Sequence, residues 1–252
     1  MNITAHHEPE LMLLGRPAEQ GRWFLIPLGM VLLLCLGSIY SWSIFSGPLE
    51  NDLGISATAS LLPYTLVLIF YSVFVSVAGF FIPRIGTRLT AAIGGIFVGT
   101  GYILASFATQ AGVLVFTYGV IAGTGVGTAY GVPMVVASRW FPDRKGLAMG
   151  LTIVGFGLSP LITAPLANQL IDRYSAQITL RIFGIAFAAI VLAISLTMKL
   201  PPKGWRPRQT VAASPSAFTT AYPKSLFKSQ SFYGLWMCYA IGTLIGLSAI
   251  GI

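Results

Sequence analysis

The sequence predicts an all-α membrane protein of seven spans, and three observations carry that reading. Between Arg88 and Arg139 no side chain is charged at neutral pH. As one helix those roughly 50 residues would reach about 75 Å, far beyond a bilayer core of about 30 Å. The run must therefore fold back, at Ala108-Thr109-Gln110-Ala111-Gly112, into two spans. Hydrophobic residues make up 55 % of the chain and charged ones 9 %, with a mean hydropathy of +0.80, whereas a soluble domain carries roughly 25 % charged residues. Finally, the bases alternate in place. Arg16 and Arg22 precede span 1, Arg84 and Arg88 follow span 2, and Arg139, Arg144 and Lys145 follow span 4; Lys199, Lys203, Arg206, Arg208, Lys224 and Lys228 separate spans 6 and 7. Of the 15 Lys and Arg, only Arg173 and Arg181 fall on the other side.

Such one-sided basicity puts the N-terminus in the cytoplasm of a plasma (inner) membrane, with the Glu50/Asp52 loop outside. The pI of 9.7 is thereby read as topology, and no nucleic-acid partner is expected. The bilayer is.

In chain order, residues 1–22 form a polar tail holding His6 and His7, without the basic region, apolar core and cleavage site of a secretory signal. Residues 23–198 hold spans at 24–46, 60–82, 90–108, 113–138, 147–168 and 181–198. Residues 199–230, basic and Pro-rich, read as a flexible cytoplasmic linker. Residues 231–252 are span 7. The chain stops at Gly251-Ile252, straight after an apolar run, which suggests a truncated chain. Cys35 and Cys238, lone thiols in apolar spans, read as small hydrophobes. No paired carboxylates, HExxH, GxSxG or Cys/His cluster is present, so neither an enzyme nor a metal or other cofactor is expected.

Within the spans, Gly119, Gly123, Gly127 and Gly131 form an i, i+4 stripe, a surface where a neighbouring backbone can approach closely. Pro133, Pro160 and Pro165 allow bends. Gly37-Ser-Ile-Tyr40 in span 1 is echoed by Gly127-Thr-Ala-Tyr130 in span 4, the spacing of a three-plus-three repeat. No charge lies deep in a span; Arg181, nearest to one, begins span 6, where it can snorkel outward.

Between spans 4 and 5, Trp140-Phe-Pro-Asp-Arg144 is followed by Gly146-Leu-Ala148 and Gly150. This resembles the corresponding loop of the oxalate/formate antiporter family of the major facilitator superfamily. Tyr40-Ser-Trp-Ser-Ile-Phe45 with Pro48-Leu49 resembles that family's first span, and Phe232-Tyr-Gly-Leu-Trp236 its seventh. The resemblance covers the chain but only seven of the family's twelve spans. It implies an N-terminal six-helix bundle of the major facilitator fold with span 7 after the linker. It also implies secondary transport of small carboxylates such as oxalate, formate or lactate by alternating access. The site residues implied are Tyr40 and Tyr130, with Trp42 from the motif, while the family's anion-pairing bases in spans 8 and 11 have no counterpart here. The superfamily's loop Gly-x-x-x-Asp-Arg-x-Gly-x-Arg appears as Gly79-Phe-Phe-Ile-Pro83-Arg84-Ile-Gly86-Thr-Arg88, with proline in place of the latching aspartate. Gly79, Arg84, Gly86, Arg88, Asp143 and Arg144 are thus the implied conformational motifs. The expected partners are the lipid bilayer, a small carboxylate anion, and a missing C-terminal half or a second copy. The alternative is a half-length membrane interaction or regulatory protein without transport of its own.

Overall fold

The computed structural model describes residues 11–202, 204–207 and 229–250. The His6/His7 tail, Lys203, linker residues 208–228 and Gly251-Ile252 lie outside the described residues. The chain divides into a unit ending at Pro207 and a second beginning at Arg208. Of the second unit, the helix α7 (Gln230–Ile250) is described.

Six helices of the first unit are long and apolar enough to cross a bilayer: α1 (Ala18–Leu53), α2 (Ala57–Ile85), α3 (Thr87–Ala105), α4 (Ala111–Trp140), α5 (Lys145–Arg173) and α6 (Ala176–Ser195). Most run beyond the predicted apolar stretches, because helical hydrogen bonding need not stop where lipid does. Their ends follow local chemistry. Gly54, at φ 62°, adopts the left-handed conformation that ends α1. Ser56 and Ser175 cap α2 and α6 by accepting hydrogen bonds from the Ala59 and Ile178 amides. A single residue, Gly86 at φ 85°, separates α2 from α3.

α1 packs along α5, α2 along α4, and α3 against α6 and α4. If α1, α2 and α3 are matched to α4, α5 and α6, the α1–α5 contact maps onto the α4–α2 contact and the α3–α6 contact onto itself. That is the packing of two interlocked three-helix repeats.

Glycine sets the helix separation. A Cβ at Gly119 would lie 2.8 Å from Leu66 Cβ, at Gly123 3.0 Å from Val67 Cα, and at Gly127 2.6 Å from the Tyr71 carbonyl oxygen, all on α2. Gly131 is different, its nearest neighbour being Ile82 Cδ1 at 3.9 Å. Steps of four residues rotate about 40° each on a helix of 3.6 residues per turn, so a straight stripe drifts off the facing helix. α4 has a second small face that the stripe did not announce: Gly125 lies against α3, where a Cβ would be 2.5 Å from the Val98 nitrogen.

Two segments expected to be solvated chain are docked over their described parts. The tail pairs β1 (Met12–Leu13) with β2 (Arg16–Pro17) in an antiparallel hairpin, and Leu13 is buried. The linker is docked at its start. Trp140 Nε1 donates to the Lys199 carbonyl at 2.6 Å, the Trp205 and Trp140 rings meet edge-on at 4.9 Å, and Pro207 is buried. The aromatic Trp205 finds an apolar seat that a merely Pro-rich composition does not reveal.

Candidate functional site

Two aromatic layers occupy the bundle. The first brings α1, α2, α4 and α5 together. Tyr40 meets Phe156 edge-on at 5.2 Å, Tyr130 meets Phe156 at 4.9 Å and Tyr71 at 5.2 Å, and Tyr71 stacks on Phe156 at 5.8 Å. Tyr40 and Tyr130 each close a Gly-x-x-Tyr, one in α1 and one in α4, and Phe156 touches both. α1 tightens into a 3₁₀ turn at Ser38–Ser41, and α4 widens into a π-helical segment at Val115–Ala122 upstream of Tyr130, a departure frequent at functional sites.

Trp42 belongs to the second layer. It is 2 % exposed, its Nε1 donates to the Ser60 carbonyl at 2.9 Å, and its ring lies 4.3 Å from that of Tyr118. Behind it runs a buried chain. Ser38 Oγ donates to the Cys35 carbonyl and shares a hydrogen bond with Tyr102, whose hydroxyl is 3.3 Å from that of Tyr118. The structure therefore brings Tyr40 and Tyr130 together and commits Trp42 to a separate hydrogen-bonded core. Tyr71 is legible in the sequence as one of the uncharged polar groups that the spans offer, whereas the signal for Phe156 is slight: one more aromatic in an apolar span.

The loop residues fall at one end of the bundle. Arg84 and Arg88 are exposed and form no ion pair among the described residues. Gly79 is exposed on the last turns of α2. Asp143, in contrast, is paired. Arg22 Nη1 and Nη2 donate to its two carboxylate oxygens at 2.6 and 3.0 Å, and Nη1 also donates to the Trp140 carbonyl at 3.1 Å. The guanidinium carbon lies 4.7 Å from the Phe141 ring centroid and 5.8 Å from that of Trp205. Burial opposes ionisation of Asp143. The Arg22 hydrogen bonds, with the charges of Arg22 and Arg144, outweigh it and hold the carboxyl below the usual range. Arg144 itself is exposed. The pair ties the start of the first repeat to the turn inside the second. In the sequence Arg22 reads only as a topology signal, since its partner lies 121 residues away.

At the other end, Arg181 Nε donates to Ser106 Oγ at 3.2 Å and its guanidinium covers Phe107 at 4.2 Å. Among the described residues no cluster of His, Cys, Asp or Glu could hold a metal ion. What remains in the middle of the bundle is phenol, hydroxyl and aromatic surface: groups that can hydrogen-bond an anion but cannot neutralise it.

This arrangement agrees with sequence comparison. The profile of the Major Facilitator Superfamily matches residues 28–252. The oxalate:formate antiporter of Oxalobacter formigenes is 29 % identical over 220 residues, 86 % of this chain and 51 % of the antiporter. The riboflavin transporter RibJ of Trypanosoma brucei brucei is 32 % identical over 73 % of this chain and 35 % of its own length. Human monocarboxylate transporter 14 is 33 % identical over 49 % of this chain and 24 % of its own length. The chain thus spans about half the length of the antiporter and less of the other two. With the profile covering most of the sequence and two three-helix repeats in the bundle, the chain is a multi-pass membrane protein that belongs to the major facilitator superfamily, a family of transporters.

Proposed function

We propose that this chain supplies one bundle of a secondary active transporter for small carboxylate anions, of the oxalate, formate or lactate kind, working by alternating access. The observation that carries the reading is the Tyr40–Tyr130–Tyr71–Phe156 cluster, which joins phenols from both repeats around one ring. Similarity to the oxalate:formate antiporter supports the substrate class. An anion leaving water needs a countercharge, and the middle of α1–α6 offers none, so a second bundle must provide it. The surface accommodates such a bundle. α2 is the least covered of the six helices, and a Cβ at Gly79 of α2 or at Gly146, Gly150 or Gly157 of α5 would meet nothing within 4 Å. A neighbouring backbone can approach closely there. The alternative, a half-length interaction protein, would place a second copy of the chain on the same surface.

Exchange measured in proteoliposomes, with a second bundle present, tests the site. Tyr40→Phe or Tyr130→Phe is expected to raise the half-saturating anion concentration roughly tenfold or more, the loss of one hydrogen bond to a charged group, without lowering the amount inserted. Unchanged kinetics in both variants would remove the cluster from the substrate path.

The orientation proposed is an inner-membrane one with the N-terminus cytoplasmic, supported by the bases at the Arg22–Asp143 end. With Cys35 and Cys238 replaced, a cysteine at Asp52 should react with an impermeant maleimide from outside intact cells, and one at Arg144 should not. The reverse pattern would invert the topology.

A further inference from the structure

The N-terminal hairpin has a feature that folding alone does not call for. Its two-residue turn, Leu14-Gly15, has positive φ at both positions, 53° and 75°, the geometry that favours Asn-Gly or Gly-Gly. Leucine there is a genuine outlier. The hairpin is nevertheless fixed in place. The Ala18 amide donates to the Leu11 carbonyl at 2.8 Å, and Leu13 packs so closely on Gly21 that a Cβ there would be 3.0 Å from its own Cβ. With Leu13 facing inward, Leu11, Met12 and Leu14 are exposed, beside exposed Trp23 and Phe24 of α1.

Leu14 lines a groove of about 360 Å³ together with Arg16, Phe24, Pro27, Leu28 and Val31. Every wall but one is apolar. The exception, Arg16, is exposed at the mouth with its guanidinium carbon 4.9 Å from the centre of the Phe24 ring. The groove descends α1 from the end of the bundle where Arg22, Arg84, Arg88, Arg139, Arg144 and Lys145 gather.

We propose that this groove seats one anionic phospholipid, its phosphate at Arg16 and its acyl chain along Phe24, Pro27, Leu28 and Val31, with Leu14 inserted at the headgroup boundary. One base over an apolar trough suits a lipid better than a free anion, which would find a single polar partner. Aromatic side chains at that level mark the membrane interface, and a basic end of the bundle attracts an anionic leaflet. The strained leucine then has a purpose: asparagine or glycine, better suited to the turn, would leave the tip polar or bare.

Native mass spectrometry of the full chain, released from detergent with added phosphatidylglycerol or phosphatidylcholine of identical acyl chains, tests this. Phosphatidylglycerol is expected to be retained about fivefold better, the worth of one base near a charged headgroup. Arg16→Gln should lower it to the phosphatidylcholine level and leave phosphatidylcholine unchanged. Leu14→Asn suits the turn and should keep or raise the thermal stability while weakening retention of both lipids. Equal retention of the two lipids by the wild-type chain, or full retention by Arg16→Gln, would overturn the proposal. So would displacement of phosphatidylglycerol by glycerol phosphate at equal concentration, which would assign Arg16 to a soluble anion.

Discussion

Gly127→Leu is expected to destroy the folded bundle, while Gly131→Leu, one helical turn away, should fold. At Gly127 the first added carbon would lie 2.6 Å from the Tyr71 carbonyl oxygen, 2.7 Å from Phe74 Cβ and 3.0 Å from the Val75 nitrogen. Two of the three are backbone atoms, so no rotamer change relieves the clash, and α2 must move away from α4. That motion also undoes the Tyr71–Tyr130 contact. The loss should exceed the roughly 1–3 kcal/mol typical of overpacking a tight core. At Gly131 a Cβ meets only the flexible tip of Ile82 at 3.9 Å, and at Gly150 nothing within 4 Å. Size-exclusion profiles and thermal unfolding in detergent of Gly127→Leu, Gly131→Leu and Gly150→Leu make the comparison. A monodisperse Gly127→Leu with wild-type unfolding temperature would mean that α2 and α4 do not pack through this glycine.

Much of the fold was legible because the bilayer demands long apolar runs, and six of them appear as membrane-length helices near the predicted places. The fold-back falls in the turn between Ala105 and Ala111, where small polar residues interrupt the apolar pattern. The illegible parts depend on contacts between distant residues. Nothing in Trp42 announces that its indole nitrogen is spent on the Ser60 carbonyl; the family motif names the residue type but not where the side chain points. Phe156 looks like any apolar residue of a span until α5 is laid against α1, and only then does it join Tyr40 to Tyr130. The hairpin carries no alternating pattern long enough to read, and its turn uses leucine where the rules call for asparagine or glycine. Pro83 was legible as a departure from the superfamily loop, and the structure adds that the neighbouring Arg84 and Arg88 are exposed. Asp143, at this end of the bundle, is a carboxylate held by Arg22.

Breaking that pair should have the second large effect, and its pH dependence identifies it. The Arg22 and Asp143 side chains are 9 % and 19 % exposed, at the rim of the bundle rather than in lipid. Losing the carboxylate should therefore cost between the ~0–1 kcal/mol of a surface pair and the about 3–5 kcal/mol of a fully buried one. Asp143→Asn keeps the shape but leaves Arg22 uncompensated among Trp140, Phe141 and Trp205. Arg22→Lys keeps the charge but cannot reproduce the two-pronged contact or also reach the Trp140 carbonyl. Exchanging the two residues should not rescue stability, since the carbonyl and the Phe141 ring both select for a cation at position 22. Arg22→Met with Asp143→Leu should be more stable than either single change, because no charge is then left unpaired.

The sign of the pH effect follows from the lowered Asp143 pKa. A carboxylate held lower in the folded than in the unfolded chain stabilises fully above the unfolded value of about 4, and its contribution fades as pH falls through the folded value. The difference in unfolding temperature between wild type and Asp143→Asn should thus be constant from about pH 7 to 5 and close only below about pH 4. A difference that closes already between about pH 7 and 5 would place the titrating group elsewhere. If the pair also holds the two repeats in register during transport, Asp143→Asn should slow exchange while leaving the half-saturating anion concentration unchanged. Tyr40→Phe is expected to do the opposite, so the two sites separate in one assay.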